Sequence, residues 1–268
     1  MVKGGTVLDL YDILQNHIGI FLLILTRVSG IFIMAPFFGS KNTPAKIRAA
    51  LSLAITLVLF PTIMASGMKV ALPMTLLGYV VAVASELFVG WVIGFVAYLT
   101  FAAILMAGQL LDMQVGFGVV NVLDPTSGQQ VPLIGSFKYN LALLIFLVTN
   151  SHYIVLTALV DSFTIIPIIG MHLTTALTDL MIAMTWGTFT IAIKISIPII
   201  FAIILMDVAL GILARTMPQM NIFVVGVPAK IFVGLFVLSV TLPFYILFLD
   251  VAFHEMYTNL YNLLRTLS

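Results

Sequence analysis

The amino-acid sequence predicts an all-α membrane protein, and three observations lead to that fold class. Hydrophobic residues make up 62% of the 268 residues and charged residues only 8%, whereas soluble domains average roughly 25% charged residues. Uncharged apolar intervals recur along the chain, and several reach the length of about 20 residues that a helix needs to cross a bilayer. Strand-like alternation of apolar and polar residues is not visible, so we expect helices rather than a β-barrel.

Charged residues divide the chain into about six candidate hydrophobic helices. A charge inside hydrocarbon costs about 2.5 to 3.5 kcal/mol on insertion scales, so long uncharged intervals mark the expected spans. Two regions stay open: residues 70–111 suit either one very long helix or two short ones, and residues 162–205 are interrupted by prolines and a glycine. The expected spans lie within residues 13–40, 49–68, 70–111, 139–160, 180–205 and 231–249.

Residue content also argues against several kinds of functional site. The chain has no cysteine, so it carries no disulfide, thiolate metal site or cysteine nucleophile. Its four histidines are scattered without ligand spacing, and no glycine pair is followed by the lysine of a phosphate-binding loop. The formal net charge of +1 gives no indication of a nucleic-acid partner. The sequence therefore predicts no enzyme, cofactor or metal site.

Four charged residues fall inside the apolar stretches: Arg27, Glu86, Lys194 and Asp207. Three interpretations are open for them. Some lie near helix ends and extend toward the lipid headgroups, or they pair with one another or with a neighbouring subunit around a water-filled path. In the third interpretation their helices lie in a protein assembly rather than in lipid.

A pair of glycines predicts a close contact between helices. Gly90 and Gly94 lie four residues apart in an apolar stretch, and this small-xxx-small spacing lets helix backbones approach closely. The signal is common by chance in apolar helices. We nevertheless expect this face to contact another helix rather than lipid.

The segment from Ala107 to Pro125 combines apolar side chains with residues that break helices. Gly116 and Gly118 permit positive φ, and Asp124-Pro125 disfavours continued helix. We therefore expect a bent apolar loop that tucks into a bundle or a pore, with a buried re-entrant turn that does not gate as the alternative. The candidate loop residues are Asp112, Met113, Gln114, Val115, Gly116, Phe117, Gly118, Val119, Val120, Asn121, Val122, Asp124 and Pro125.

A second segment runs from Ala214 to Lys230 and predicts a rigid connector between two spans. It contains two prolines and is bracketed by Arg215 and Lys230. An ordinary positively charged loop explains these charges, but not the amides set among apolar residues, which are suited to bonding neighbouring chains. The candidate assembly residues are Arg215, Pro218, Gln219, Asn221, Phe223, Gly226, Pro228 and Lys230.

Several motifs give the chain a resemblance to the FliR family and its virulence-secretion counterparts. The run Arg-Thr-Met-Pro-Gln-Met-Asn-Ile-Phe-Val-Val-Gly-Val-Pro-Ala-Lys from Arg215 to Lys230 resembles the family signature. Weaker matches occur in order and cover most of the remaining chain. They are Arg27, Gly30, Pro36, Pro44, Arg48, Glu86, Gly90, Gly94, Gly108, Asp112, Gln114, Gly116 and Asp124-Pro125.

The resemblance implies a non-enzymatic subunit of the flagellar type III protein-export gate, driven by its partners and the proton-motive force. Residues 1–206 would form a FliP-like part fused to a FliQ-like part over residues 207–268, both built of helical hairpins. One copy would join several FliP-like and FliQ-like subunits, with a FlhB-like subunit, in the bacterial inner membrane within the flagellar basal body. Residues 112–125 would contribute to a plug, and unfolded flagellar proteins would pass once it moves.

Two alternatives to an export gate remain. An ion-coupled secondary transporter has broken helices and midplane charges similar to residues 70–125 and 180–215, but it predicts an inverted repeat that the sequence does not display. A non-gating scaffold of the export apparatus would organise the same partners without a plug. Overall similarity favours a flagellar rather than a virulence system.

Overall fold

Seven helices form the described part of the chain. The computed structural model describes the backbone of residues 6–36, 43–65, 70, 72–118, 132–219 and 221–268, and the side chains in those ranges from residue 16 onward. No strand occurs within these ranges, in agreement with the predicted all-α class. The helices are α1 (Thr6–Met34), α2 (Ala45–Ala65), α3 (Leu76–Val115), α4 (Leu133–Val148), α5 (Ser151–Ile165), α6 (Thr175–Thr216) and α7 (Ile222–Leu267).

The helices match the predicted number of membrane spans. Five of them, α1, α2, α3, α6 and α7, are long and apolar enough to cross a bilayer, and α4 with α5 makes a sixth candidate if the bent pair is one span. Within the described residues, this agrees with the expected membrane protein of about six hydrophobic helices. The expected single helix over residues 139–160 was wrong. The chain bends by 67° between α4 and α5, where Asn150 has a φ of 58°, a left-handed conformation that asparagine tolerates better than most residues.

The lengths of the observed helices decide between the alternatives that the sequence left open for its long apolar segments. Of the two possibilities for residues 70–111, one long helix is observed, since α3 runs for 40 residues without a break. α6 continues for 42 residues through Lys194 and Pro198. α7 runs for 46 residues and extends well beyond the expected limits of 231 and 249 at both ends. The charged residues near those limits delimit the apolar part of the sequence, whereas the helix itself continues past them.

The predicted rigid connector between Arg215 and Lys230 is therefore much shorter than expected. α6 includes Arg215 and ends at Thr216, and α7 begins at Ile222. Pro228, which suggested an extended connector, lies inside α7. Pro228 is the seventh residue of α7, beyond the first turn, so its missing N–H leaves the carbonyl oxygen of Val224 without that intrahelical bond while the helix continues.

The chain divides into two compact units, each assembled from separate stretches of sequence. The first contains Met1–Tyr98, His152–Met181 and Met256–Ser268, and the second contains Leu99–Ser151 and Ile182–Glu255. This division has no boundary at residue 206. The proposed FliP-like and FliQ-like parts concern likeness to other subunits, so they stay a prediction.

Glycines bring α1 and α3 into close contact in the first unit. A Cβ atom on Gly90 would overlap the carbonyl oxygen of Arg27, and one on Gly94 would lie 3.0 Å from the carbonyl oxygen of Ile31. Gly30 on α1 faces the same contact, since its Cβ would lie 2.6 Å from the oxygen of Leu87. The small-xxx-small face therefore contacts a helix, as predicted.

The second unit has an apolar core and an aromatic cluster. Phe101, Phe146 and Phe253 pack together with ring centroids 5.2 to 5.9 Å apart. Gly108 on α3 lies against Gly135 on α4, where a Cβ on Gly108 would overlap the Cα of Gly135. The buried aliphatic core is formed by Leu111, Val115, Ile134, Ile199, Ile203 and Leu238. These contacts fix the end of α3, where the candidate loop begins.

Candidate functional site

The first residue of the candidate loop, Asp112, caps a neighbouring helix. It lies on α3, is 5% exposed, and accepts the backbone N–H groups of Ile134 at 2.9 Å and Gly135 at 3.1 Å. These are the second and third residues of α4, whose N-cap residue Pro132 makes no side-chain capping bond. Asp112 thus supplies from another helix the carboxylate that a helix N-terminus favours.

Gly116 ends α3, shortly after Asp112. Its φ is +102°, a region that residues with a Cβ rarely adopt. The expectation of positive φ holds for Gly116, while Gly118 and the preceding Phe117 have helical backbone. Asp112–Val115 are still part of α3, so the bend begins later than the start predicted for the loop.

The side chains around the break point into the second unit's core. Val115 is fully buried, and a Cβ on Gly234 of α7 would lie 2.7 Å from its Cγ2. Phe117 is partly buried and packs against the same aliphatic core. The remaining candidate loop residues, Val119, Val120, Asn121, Val122, Asp124 and Pro125, lie outside the described residues.

A groove brings the end of α3 together with the predicted assembly segment. It has a volume of about 400 Å³ and is enclosed by residues of α3, α6 and α7. Asp207 on α6 and Lys230 on α7 form an ion pair along it. The lining residues that the sequence singled out are Met113, Gln114, Gly116, Asp207, Phe223, Gly226 and Lys230. Two motifs about a hundred residues apart in sequence therefore share one surface.

Most of the assembly segment is exposed. Arg215, Pro218 and Gln219 are exposed at the turn between α6 and α7, and Phe223 is 84% exposed at the start of α7. The side chain of Asn221 is used within the chain, because its oxygen accepts the N–H of Phe223 at 3.1 Å and caps α7. Gly226 is buried, and a Cβ atom added to it would lie 3.1 Å from Cδ1 of Leu210. Pro228 is exposed.

Two of the four intrahelical charges pair with each other in the core of the first unit. Nε of Arg27 donates to Oε2 of Glu86 at 2.6 Å, and both side chains are almost completely buried. Nη1 of Arg27 also donates to the carbonyl oxygens of Ser162 at 2.9 Å and Ile166 at 3.0 Å, at the C-terminal end of α5. Oε1 of Glu86 accepts the N–H of Ile169 at 2.9 Å. One ion pair thus joins α1, α3 and the chain that follows α5.

The other two intrahelical charges have different surroundings. Asp207 pairs with Lys230 of the same chain, which is not one of the four. Lys194 is exposed near the middle of α6 and makes no ion pair among the described residues. Sequence reasoning missed Lys138, which directly precedes the span expected within residues 139–160. It lies inside α4 and is 3% exposed, and Pro132, a residue favoured at helix starts, was the available signal.

Comparison with known proteins identifies the family. A sequence model described as "Bacterial export proteins, family 1" matches residues 18–256. The chain belongs to this family of bacterial export proteins. The matched region contains the end of α3 that caps α4, the groove and the buried Arg27–Glu86 pair, so the geometry above lies within the family region.

The bacterial export proteins most similar in sequence include three flagellar biosynthetic proteins named FliR. The protein from Bacillus subtilis is 37% identical over 82% of this chain and 85% of its own length. Those from Escherichia coli and Pectobacterium carotovorum are 28% and 29% identical, over 91% and 94% of this chain and 92% and 95% of their own lengths. The predicted resemblance to the FliR family is therefore confirmed. The chain is a membrane component of flagellar protein export.

Proposed function

We propose that this chain is a subunit of the flagellar type III export gate that assembles with FliP-like and FliQ-like subunits. Together they form and plug the channel through which unfolded flagellar proteins leave the cell. The gate lies in the bacterial inner membrane within the flagellar basal body, beside a FlhB-like subunit. The observation that carries the proposal is the end of α3, where a long apolar helix stops at Gly116 in the left-handed region beside the exposed assembly segment.

The plug assignment rests on the physical character of that helix end. Phe117 is apolar and only partly buried, and apolar constrictions in channels close by excluding water. Gly116 supplies a backbone conformation that other residues adopt at a cost of about 1 kcal/mol or more. The base of the segment is fixed, because Asp112 holds the start of α4. A hinge with a fixed base suits a plug that is displaced and then returns.

The assembly assignment rests on exposed apolar surface. α6 and α7 each display large apolar side chains along their length, including Trp186, Phe201, Phe232 and Phe244, each more than half exposed. Such surface faces either lipid or other subunits. The exposed Arg215 and Gln219 beside it provide hydrogen-bond donors at one end, as an interface with other subunits requires.

Co-purification tests the assembly. A tagged chain expressed with its FliP-like and FliQ-like partners should bring both partners through detergent extraction and size-exclusion chromatography as one complex. An unrelated tagged membrane protein of six spans serves as the control. Recovery of the chain without either partner would contradict the proposed function and favour the secondary transporter.

Deletion of residues 116–122 is expected to make the membrane leaky to small ions while the complex still assembles. The deletion removes the Gly116 hinge and Phe117 but leaves Asp112 to cap α4, so the helices keep their contacts. The measurement is the ion conductance of membranes that contain the variant complex, either reconstituted or in cells induced to express it. Complex formation is followed in parallel. Asn262→Ala, at an exposed position on α7 outside both candidate segments, is the control. Unchanged conductance in an intact complex would refute the plug and leave a non-gating scaffold.

A further inference from the structure

Two lysines of the second unit line one cavity in the apolar part of the chain. Lys138 on α4 and Lys194 on α6 both border a cavity of about 360 Å³. The other walls include Pro198 of α6 and Phe244 and Tyr245 of α7, so the cavity is largely apolar. Two positive charges facing one apolar cavity repel each other, and the buried Lys138 also loses hydration. A negative charge placed in the cavity would offset both effects.

The described part of the chain does not supply that charge. Nζ of Lys138 lies 4.8 Å from the ring centroid of Tyr245, a favourable cation–π contact. The hydroxyl of Tyr245 donates to the carbonyl oxygen of Lys138 at 3.0 Å and so does not offer the lysine an anionic partner. Among the described residues, no carboxylate lies within ion-pair distance of either lysine.

Several other charges in the apolar helices have compensating partners within the chain, whereas neither lysine has an ion-pair partner among the described residues. Glu86 compensates Arg27, and Asp207 compensates Lys230. The carboxylate of Asp112 receives two backbone N–H groups. These charges within apolar helices thus have partners inside the chain, as intramembrane charges usually do.

We propose that the cavity between Lys138 and Lys194 receives a glutamate or aspartate carried on an apolar helix of a neighbouring gate subunit. The inference rests on the proposed assembly and names one of its contacts. A carboxylate accepts several hydrogen bonds through its two oxygens, so it can bond both ammonium groups.

The position of Lys194 along α6 favours a carboxylate on a helix over the phosphate of a lipid headgroup. Residues 180–193 and 195–206 contain no charged residue, and at about 1.5 Å per residue these stretches measure about 21 and 18 Å. Half the hydrocarbon thickness of a bilayer is about 15 Å. A lysine at the centre of such an interval is too deep for a headgroup phosphate, whereas a neighbouring helix can present a carboxylate at any depth.

Charge reversal and its rescue test the site. Lys194→Glu is expected to lower recovery of the FliP-like and FliQ-like subunits by roughly tenfold or more, because a reversed charge repels the carboxylate. Lys194→Met, which removes the charge and keeps the length of the side chain, should have a smaller effect in the same direction. Each Asp and Glu within the apolar helices of the partners is then changed to Lys in combination with Lys194→Glu. One of these changes should restore the complex.

Three readouts keep the outcomes separate. Membrane accumulation and thermal unfolding of the chain alone should match the unaltered chain for Lys194→Met, which excludes misfolding as the cause. Arg265→Glu reverses an exposed charge in the other unit and should leave the complex intact. If the unaltered chain assembles and Lys194→Glu assembles equally well, or responds only to the content of anionic lipid, the carboxylate site is overturned while the proposed function stands. If the unaltered chain does not assemble, both fail.

Discussion

Glu86→Gln is expected to remove most of the folded chain from the membrane. The variant leaves the guanidinium of Arg27 buried without its counter-charge, and breaking a buried ion pair by changing one partner costs roughly 3 to 5 kcal/mol. Native proteins are stable by only about 5 to 15 kcal/mol, so this loss is a large fraction of the total. Membrane accumulation and thermal unfolding in detergent measure it.

A double variant separates charge from packing at this site. Arg27→Met combined with Glu86→Gln should be less harmful than Glu86→Gln alone, because no uncompensated charge is then buried. The double variant should remain less stable than the unaltered chain, since the carbonyl oxygens of Ser162 and Ile166 lose their donor. Glu255→Gln, at an exposed position on α7, serves as the control and should change little. Normal stability of Glu86→Gln would show that Arg27 does not depend on this carboxylate.

Gly108→Val is expected to prevent normal packing of α3 against α4. A Cβ at this position would overlap the Cα of Gly135, and backbone cannot move aside as the end of a flexible side chain can. Overpacking in cores costs typically 1 to 3 kcal/mol, and an overlap with backbone belongs at or above the top of that range. Separation of the two helices would also pull Ile134 and Gly135 from Asp112. Thermal unfolding and recovery of the partner complex should both decline.

Gly187→Ala is the matched control for this substitution. Gly187 lies inside α6, and a Cβ there would meet no atom within 4 Å. Alanine has the higher helix propensity by about 1 kcal/mol, so the control should be neutral or slightly stabilising. Equal tolerance of Gly108→Val and Gly187→Ala would contradict the close contact between Gly108 and Gly135.

The sequence predicted the helical class because that class depends on composition and on the length of uncharged intervals. It misjudged where helices end, since hydrocarbon limits and helix limits are different physical boundaries. α7 begins near Asn221, whose side-chain oxygen caps it, rather than at Lys230. The break at Asn150 depends on a single left-handed residue, and one asparagine is a weak signal within an apolar run.

The sequence identified several residues of the candidate site, but it did not predict which groups those residues contact. Gly116 was singled out because glycine permits positive φ, and the structure has that conformation. The role of Asp112 was not predicted, because its partners Ile134 and Gly135 lie more than twenty residues away and are backbone groups. Lys138 was left just outside the span expected within residues 139–160, because a lysine was used as evidence of a span boundary. Pairing of charges between distant helices leaves no local signal in the sequence.

The ion pair between Arg27 and Glu86 also constrains the order of events during synthesis. Glu86 follows Arg27 by 59 residues, so at roughly 5 to 20 residues per second about 3 to 12 s separate their appearance. Ser162 follows later still, 135 residues after Arg27. During this interval α1 carries an arginine whose permanent partners do not yet exist. Entry of α1 into lipid alone would carry this arginine uncompensated at a cost of about 2.5 to 3.5 kcal/mol, so we expect entry of α1 together with α3 to be favoured.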